Sequence, residues 1–142
     1  MCIRERHKVP DCEDLTWDDV QIASTIFAVK PGDGSAREQA ASCQRVLGAG
    51  ANIVTEYATK RYRSNLINWG MLPLQLVGAT PFGLGDYVFI PNVREALKGD
   101  LQDIKAYVLG DSVREFSLYM APLTADERKI LADGCLINFY KN

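Results

Sequence analysis

The positions of apolar residues alternate between two periods in the first half of the chain, one typical of strands and the other of helices. Residues 20–29 form a largely apolar run that ends at the Pro-Gly-Asp-Gly turn of residues 31–34. This arrangement predicts a buried strand followed by a tight loop. Ser35 and Glu38 have the spacing of a capping box, and apolar residues follow at helical intervals up to Leu47. A helix capped by Ser35 is therefore predicted.

The same order of strand and helix is predicted once more before the pattern changes. Residues 51–54 form a short apolar segment, which predicts a second strand. Residues 57–69 carry a helical apolar stripe, and Gly70 follows as a stop signal. Residues 71–77 predict a third strand, in which Pro73 favours an edge position or an irregular start.

The second half of the chain is rich in Val, Ile, Tyr and Phe and predicts mainly strands. Three segments have this composition and are separated by glycine and proline, namely residues 86–90, 104–109 and 114–120. Thr124 and Glu127 form a second capping box, which predicts a helix that ends at Gly134. Residues 135–140 predict a closing strand.

The size and composition of the chain fit one folded domain. Its 142 residues are 47% hydrophobic and 24% charged, which supports a core without disulfides or metal. Residues 1–19 are polar and show no period, so we interpret them as a lead-in or boundary segment. Residues 20–142 are then predicted to form the domain itself.

Charge and hydropathy argue against nucleic acid and membranes as partners. The formal net charge is -2, so no overall positive field attracts a polyanion. The densest basic run contains Lys60, Arg61 and Arg63, which we interpret as a solvated helix face. No uncharged apolar stretch reaches the roughly 18 residues of a membrane-spanning helix. Residues 1–19 lack the apolar centre of a secretory signal, so a cytoplasmic or organellar matrix location is expected, of which we take the cytoplasmic one.

The four cysteines are predicted to be free thiols. Cys2, Cys12, Cys43 and Cys135 include no CxxC pair, and His7 is the only histidine. These positions do not have the spacing of a metal-ligand set, so no metal site is predicted on this chain. Cys43 and Cys135 lie in apolar patterns and are expected to be buried as small hydrophobic side chains.

The segment with the clearest chemical signal is PGDGSARE, residues 31–38, where a glycine loop meets a helix. The first N–H groups of a helix carry partial positive charge, and glycines let an anion approach the backbone closely. Arg37 adds a planar fork of donors that suits a carboxylate or a phosphate. Neither GxxxxGK[ST] nor GxGxxG is present, which excludes those two nucleotide loops. From these residues alone, a helix cap at Ser35 and a solvated Arg37 form the alternative.

The segment GDGSAREQAA, followed by ANIVTEYATKRYRSNLINWGMLPL, resembles two motifs of the swivelling domain of the aconitase superfamily. The family pattern is G-x-G-S-S-R-E-x-A and then a segment that ends in G-[LIMV]-L-P. The resemblance covers about residues 20–76, and the later segments GDYVFIPNVREAL and GCLINFY resemble a hydratase-like branch. It implies an α/β fold, namely a three-layer β/β/α swivelling domain of aconitase type.

The resemblance also implies roles for four residues of the glycine loop. Ser35 matches the serine that acts as the catalytic base, and Arg37 matches the arginine that holds a substrate carboxylate. Gly34 and Ala36 are implied as further substrate-binding positions. Ala36 replaces the second serine of the family motif, so only its backbone N–H is available there. Histidine often occupies the family position that corresponds to Tyr62.

A division of the active site between domains is implied as well. In this family a 4Fe-4S cluster, held by three cysteines of other domains, activates the departing hydroxyl. The chain is therefore expected to work with cluster-bearing domains or a large subunit, and not alone. The implied activity is that of an aconitate hydratase-like hydro-lyase acting on a small hydroxy di- or tricarboxylic acid. The alternatives are an isopropylmalate or homoaconitate isomerase-type small subunit and a non-catalytic binding or assembly module.

Overall fold

One parallel and one antiparallel sheet, each of three strands, form the framework of the part of the chain that the structure describes. The structure is a computed structural model and describes residues 8–141. Cys2 and His7, which the sequence interpretation considered as metal ligands, lie outside the described residues. No helix in the described range is long and apolar enough to cross a membrane.

The parallel sheet contains strands β1 (Ser24–Ala28), β2 (Ala49–Val54) and β3 (Leu72–Gln75), in that order. Helix α1 (Arg37–Val46) connects β1 to β2, and helix α2 (Lys60–Asn68) connects β2 to β3. Parallel neighbours need such crossover connections, and a helix is the usual one. The alternating apolar pattern predicted these five elements in this order, although β1 is shorter than the predicted strand.

Residues 20–29, which the sequence predicted as a buried strand, are largely exposed, and β1 occupies only Ser24–Ala28 of this segment. Ile22, Phe27 and Val29 are 69%, 41% and 66% exposed. The reason is the position of β1 at the edge of the sheet, where it pairs with β2 alone. An apolar run cannot by itself distinguish an edge strand from a central one. Strand β3, which contains Pro73, lies at the opposite edge of the sheet. Of the two predicted alternatives for Pro73, the structure has the edge position.

The antiparallel sheet contains β4 (Tyr87–Phe89), β5 (Ile104–Leu109) and β6 (Arg114–Leu118), in that order. All three strands were predicted, and β5 has the predicted bounds. The two sheets meet at Gln75 and Tyr119, whose backbones exchange two hydrogen bonds of 2.7 and 3.0 Å. This bridge holds the end of β3 next to the residue that follows β6.

The main core lies between the two sheets, and α1 and α2 form a third layer on the parallel sheet. Core side chains come from both sheets, with Ala51, Ile53 and Leu74 on one side and Ile104, Ala106 and Leu118 on the other. A second cluster joins the helices to the parallel sheet and contains Ala41, Ala49, Tyr62, Leu66 and Met71. The three-layer β/β/α architecture that the resemblance implied is confirmed.

The C-terminal region has one predicted helix and one element that the sequence assigned wrongly. Helix α4 (Ala125–Asp133) has the predicted capping box, since Thr124 Oγ1 accepts from the Glu127 N–H and Glu127 Oε2 accepts from the Thr124 N–H. The predicted closing strand at residues 135–140 is instead a short helix, α5 (Leu136–Phe139). Leu136 and Phe139 both pack on the main core, and their i, i+3 spacing suits a helix.

Two further features were not predicted. A short helix, α3 (Val93–Lys98), follows β4, and six residues are too few for a clear helical period. Part of the lead-in segment packs on the antiparallel sheet, because Val9 and Cys12 are buried in a cluster with Tyr107 and Leu109. The division of the chain at residues 19 and 20 stays a prediction.

The predicted burial of two cysteines is wrong. Cys43 is exposed and Cys135 is half-buried. On α1 the buried residue is Ala41, and a position two residues later lies about 200° around the helix. The apolar stripe that contains Cys43 therefore points away from the sheet. Cys12 is the buried cysteine among the described residues.

Candidate functional site

The loop between β1 and α1 is held by α1 itself and by the residues that precede α2. The Gly32 carbonyl accepts hydrogen bonds from Arg37 Nε at 3.0 Å and from Thr59 Oγ1 at 2.9 Å. The Asp33 carbonyl accepts from Arg37 Nη2 at 3.2 Å, and the Ala58 N–H donates to the Pro31 carbonyl at 3.0 Å. These four bonds fix the backbone of the predicted anion-binding loop.

Gly32 is the point where the loop backbone lies directly on the side chain of Tyr62. Its φ is +96°, a left-handed conformation that glycine adopts without strain. A Cβ at this position would lie 2.5 Å from both Cβ and Cγ of Tyr62. The turn thus requires glycine for two independent reasons, backbone conformation and space.

The Tyr62 side chain packs against Gly32 of the loop, and two side-chain amides donate hydrogen bonds to its hydroxyl. Its hydroxyl accepts from Gln44 Nε2 at 2.8 Å and from Asn52 Nδ2 at 3.0 Å. Asn52 is completely buried in β2, so the three side chains join α1, α2 and the parallel sheet. Nearby Tyr57 packs against the Tyr62 ring, and burial raises the pKa of its phenol well above the usual value.

We expect Tyr62→Phe to destabilise the fold by about 1–3 kcal/mol, the cost of leaving a buried polar group without its partner. The change removes the acceptor of both amide donors and keeps the ring on which Gly32 rests. Urea unfolding measures the loss. Tyr87→Phe is the matched control, because Tyr87 is 51% exposed and its variant should unfold like the unmodified protein. Equal midpoints for the two variants would contradict the role of the network.

Ser35 does not form the predicted capping box. The N-cap of α1 is Ala36, whose side chain forms no cap hydrogen bond, and Ser35 does not take its place. With Ala36 as the cap, the third helical position is Gln39 and not Glu38, so the spacing of Ser35 and Glu38 is one residue out of phase. Ser35 lies just before the helix and is exposed. Its hydroxyl is therefore available to a ligand.

The four residues to which the resemblance assigned roles are consecutive in the structure. Gly34, Ser35 and Ala36 are exposed, and Arg37 is half-buried as the first residue of α1. A Cβ on Gly34 would meet nothing within 4 Å, so the loop is open at this point. Ser35 and Arg37 both face the same cleft.

This cleft is open, has a volume of about 370 Å³ and lies between the starts of α1 and α2. Its lining side chains are polar or charged, namely Ser35, Arg37, Glu38, Lys60, Arg61, Ser64 and Asn65. The sequence interpretation missed Lys60 and Arg61, which it placed on a solvated face. Both helices begin after the carboxyl ends of neighbouring parallel strands, and such ends form ligand sites in open α/β sheets. The place of Lys60 and Arg61 at the start of a helix that follows a predicted strand could therefore have indicated them as site residues.

The cleft carries a positive charge. It contains three cations and one carboxylate, and no salt bridge within residues 8–141 involves Arg37, Lys60 or Arg61. Arg63, the third member of the basic run, points elsewhere and donates from Nη2 to the carbonyls of Ala121 and Pro122 at 2.9 and 2.8 Å. The arrangement suits a small anion.

The described residues do not fit an iron-sulfur cluster. No group of three or more His, Cys, Asp or Glu side chains among them is placed to hold a metal ion. Cys12 is buried, Cys43 is exposed and Cys135 is half-buried, and they belong to different parts of the fold. Because Cys2 and His7 lie outside the described residues, the absence of cluster ligands from the whole chain stays a prediction.

Comparison with known proteins relates this site to a family. Residues 4–78, just over half of the chain, match the family model described as the aconitase C-terminal domain. A search of curated proteins found no significant match. Among solved structures, the chain is similar to 3-isopropylmalate dehydratase (leuD) from Methanocaldococcus jannaschii, with 30% identity and a TM-score of 0.63. The match covers 87% of this chain and 66% of that chain. The glycine loop, α1, α2 and the cleft lie within the family match.

Proposed function

Because the chain belongs to the aconitase family as its C-terminal, swivelling domain, we propose that it supplies one part of the active site of a hydro-lyase. The reaction is the reversible removal of water from a small hydroxy acid with two or three carboxylates. The observation that carries this proposal is that Ser35 and Arg37 face one positively charged cleft. An aconitate hydratase-like activity is the first candidate.

Ser35 is proposed as the catalytic base. A serine hydroxyl is a weak base, and nearby positive charge and N–H donors favour its deprotonated form. Ser35 has such surroundings, since it precedes the first turn of α1 and shares the cleft with Arg37, Lys60 and Arg61. Its oxygen takes the proton from the carbon next to a substrate carboxylate. The electron pair of that bond forms the double bond as the hydroxyl leaves the adjacent carbon.

Arg37 is proposed to hold a substrate carboxylate. Its Nε and Nη2 already donate to the loop carbonyls of Gly32 and Asp33, so the guanidinium group is oriented before substrate binds. Nη1 has no partner in the described part of the chain and can donate to a carboxylate. Gly34 and the backbone N–H of Ala36 lie beside it and are proposed to complete this end of the substrate site.

A partner is part of the proposal. The 4Fe-4S cluster that the family implies is proposed to lie on cluster-bearing domains or a large subunit, because the described residues offer no ligand group for it. Exposed apolar side chains support the existence of such a partner. They include Val46 and Leu47 at the end of α1, both 82% exposed, and Val29 after β1, 66% exposed.

A dehydration assay of the chain assembled with its cluster-bearing partner tests the proposed function. Citrate, isocitrate and 3-isopropylmalate are offered separately, and the unsaturated product is followed by its ultraviolet absorbance. The relative named 3-isopropylmalate dehydratase makes an isopropylmalate-type small subunit the second candidate. Turnover of the citrate pair supports the first candidate, and turnover of isopropylmalate supports the second. Inactivity on hydroxy acids of both kinds would contradict the hydro-lyase proposal.

We expect Arg37→Lys to raise KM by an amount that corresponds to about 1.5–3 kcal/mol, the value of a charge-assisted hydrogen bond. Lysine keeps the charge but cannot both brace the loop carbonyls and bind a carboxylate. Steady-state kinetics of the assembled enzyme measure the change. Arg94→Lys is the control, because Arg94 is exposed on α3 and away from the cleft. An unchanged KM for Arg37→Lys would refute the assignment.

A further inference from the structure

The first turn of α2 presents two cations to the cleft that have no salt-bridge partner among residues 8–141. Lys60 and Arg61 line the cleft opposite Ser35 and Arg37, and neither forms a salt bridge with another described residue. Two other basic residues of the β1–β3 region do have partners. Lys30 pairs with Glu56 at 2.9 Å, and Arg63 binds two backbone carbonyls.

The position of these two cations does not serve the stability of the helix. Positive side chains are unfavourable at the positive end of the helix dipole, and acidic ones are favoured there. Helix α2 has no acidic residue in its first turn. Thr59 accepts from the Tyr62 N–H and donates to the Gly32 carbonyl, so the cap provides no negative charge. A bound anion would relieve the repulsion.

We propose that Lys60 and Arg61 bind a second carboxylate of the substrate, an inference that rests on the proposed function. Arg37 holds one carboxylate on the α1 side of the cleft, and the two cations of α2 hold another across it. Ser64 and Asn65 line the same wall and add neutral donors. The site then selects a small polycarboxylate over a monocarboxylate, because only a polycarboxylate reaches both groups of cations.

The test is a titration of the chain with two unreactive probes, tricarballylate with three carboxylates and propionate with one, at constant ionic strength. Amide NMR shifts of the first turns of α1 and α2 report binding. The double variant Lys60→Gln/Arg61→Gln should raise the dissociation constant for tricarballylate about tenfold, the combined effect of two exposed charge pairs. Its affinity for propionate should not change.

A control variant with the same change in net charge distinguishes binding at a specific site from general electrostatic attraction of the probe to the protein. Lys8→Gln/Arg94→Gln removes two exposed cations that lie outside the cleft and should leave both affinities unchanged. If the control weakens tricarballylate as much as Lys60→Gln/Arg61→Gln does, the inference is wrong. It is also wrong if Lys60→Gln/Arg61→Gln leaves tricarballylate binding unchanged.

Arg37→Gln distinguishes failure of the inference from failure of the proposed function. The proposed function requires this variant to weaken both probes, because each presents a carboxylate to Arg37. Weakened binding in Arg37→Gln together with full binding in Lys60→Gln/Arg61→Gln overturns the inference alone. Unchanged binding of both probes in Arg37→Gln, or no shift in either first turn with any probe, overturns the proposed function and the inference with it.

Discussion

Ser35→Ala is expected to lower kcat of the assembled enzyme by about 10²- to 10⁴-fold, the contribution of a positioned acid or base. The base acts on a proton that moves only in the transition state, so its loss should affect kcat and leave KM close to the unmodified value. Single-turnover and steady-state assays with the preferred hydroxy acid measure both constants. Retention of the unmodified kcat would show that Ser35 is not the base.

Ser35→Ala separates an effect on catalysis from an effect on stability, because Ser35 does not cap α1. Alanine at this position removes no cap hydrogen bond, so the free energy of unfolding should change by no more than about 0.5 kcal/mol. Ser42→Ala on the same helix is the matched control, since its hydroxyl donates to the Gln39 carbonyl outside the cleft. It should retain both stability and turnover. A large loss of stability in Ser35→Ala would instead indicate a structural role.

The two capping-box signatures show how far a local pattern determines structure. Ser35 with Glu38 and Thr124 with Glu127 have the same spacing, yet only the second pair forms the box. Thr124 follows the buried Leu123, which fixes where α4 begins. Ser35 follows a glycine loop that Arg37 holds by its carbonyls, and the helix begins one residue later than the pattern predicted. The residues around the four-residue pattern therefore influence where the helix begins.

The fold was predictable where each segment had one dominant period. It was less predictable where packing against neighbouring elements determines whether a segment forms a strand or a helix. The alternating strands and helices of residues 24–75 were predicted in order, because crossover helices and short apolar strands differ in length and period. Residues 135–140 are apolar almost throughout, and that composition allows a strand or a helix. Only the core against which Leu136 and Phe139 pack distinguishes the two.

The sequence indicated one side of the cleft and not the other. The motif predicted that Ser35 and Arg37 lie at a strand-loop-helix turn, and both line the cleft, while their roles stay a prediction. Lys60 and Arg61 follow one another in a basic run with Arg63, and sequence alone gives all three the same solvated environment. The orientation of α2 separates them, since Arg63 reaches carbonyls after β6 while the other two reach the cleft.

Gly32→Ala is expected to cost about 2–5 kcal/mol of folding free energy, the combined effect of left-handed backbone strain and an overfilled contact. The new Cβ would meet the Tyr62 side chain at 2.5 Å, at a φ of +96°. Tyr62 cannot withdraw, because its hydroxyl is bound to Gln44 and to the buried Asn52. The loop must therefore move, and with it the carbonyl that orients Arg37.

Gly34→Ala in the same loop is the comparison that isolates this effect. Its Cβ would meet nothing within 4 Å, and its φ is not left-handed, so stability should stay within about 1 kcal/mol of the unmodified chain. Urea unfolding of the two variants, side by side, measures the difference. If Gly32→Ala is as stable as Gly34→Ala, the loop does not rest on Tyr62 as described. Amide NMR then provides the second readout: displacement of the loop should shift the signals of Asp33 through Arg37 in Gly32→Ala, whereas Gly34→Ala should shift only its immediate neighbours.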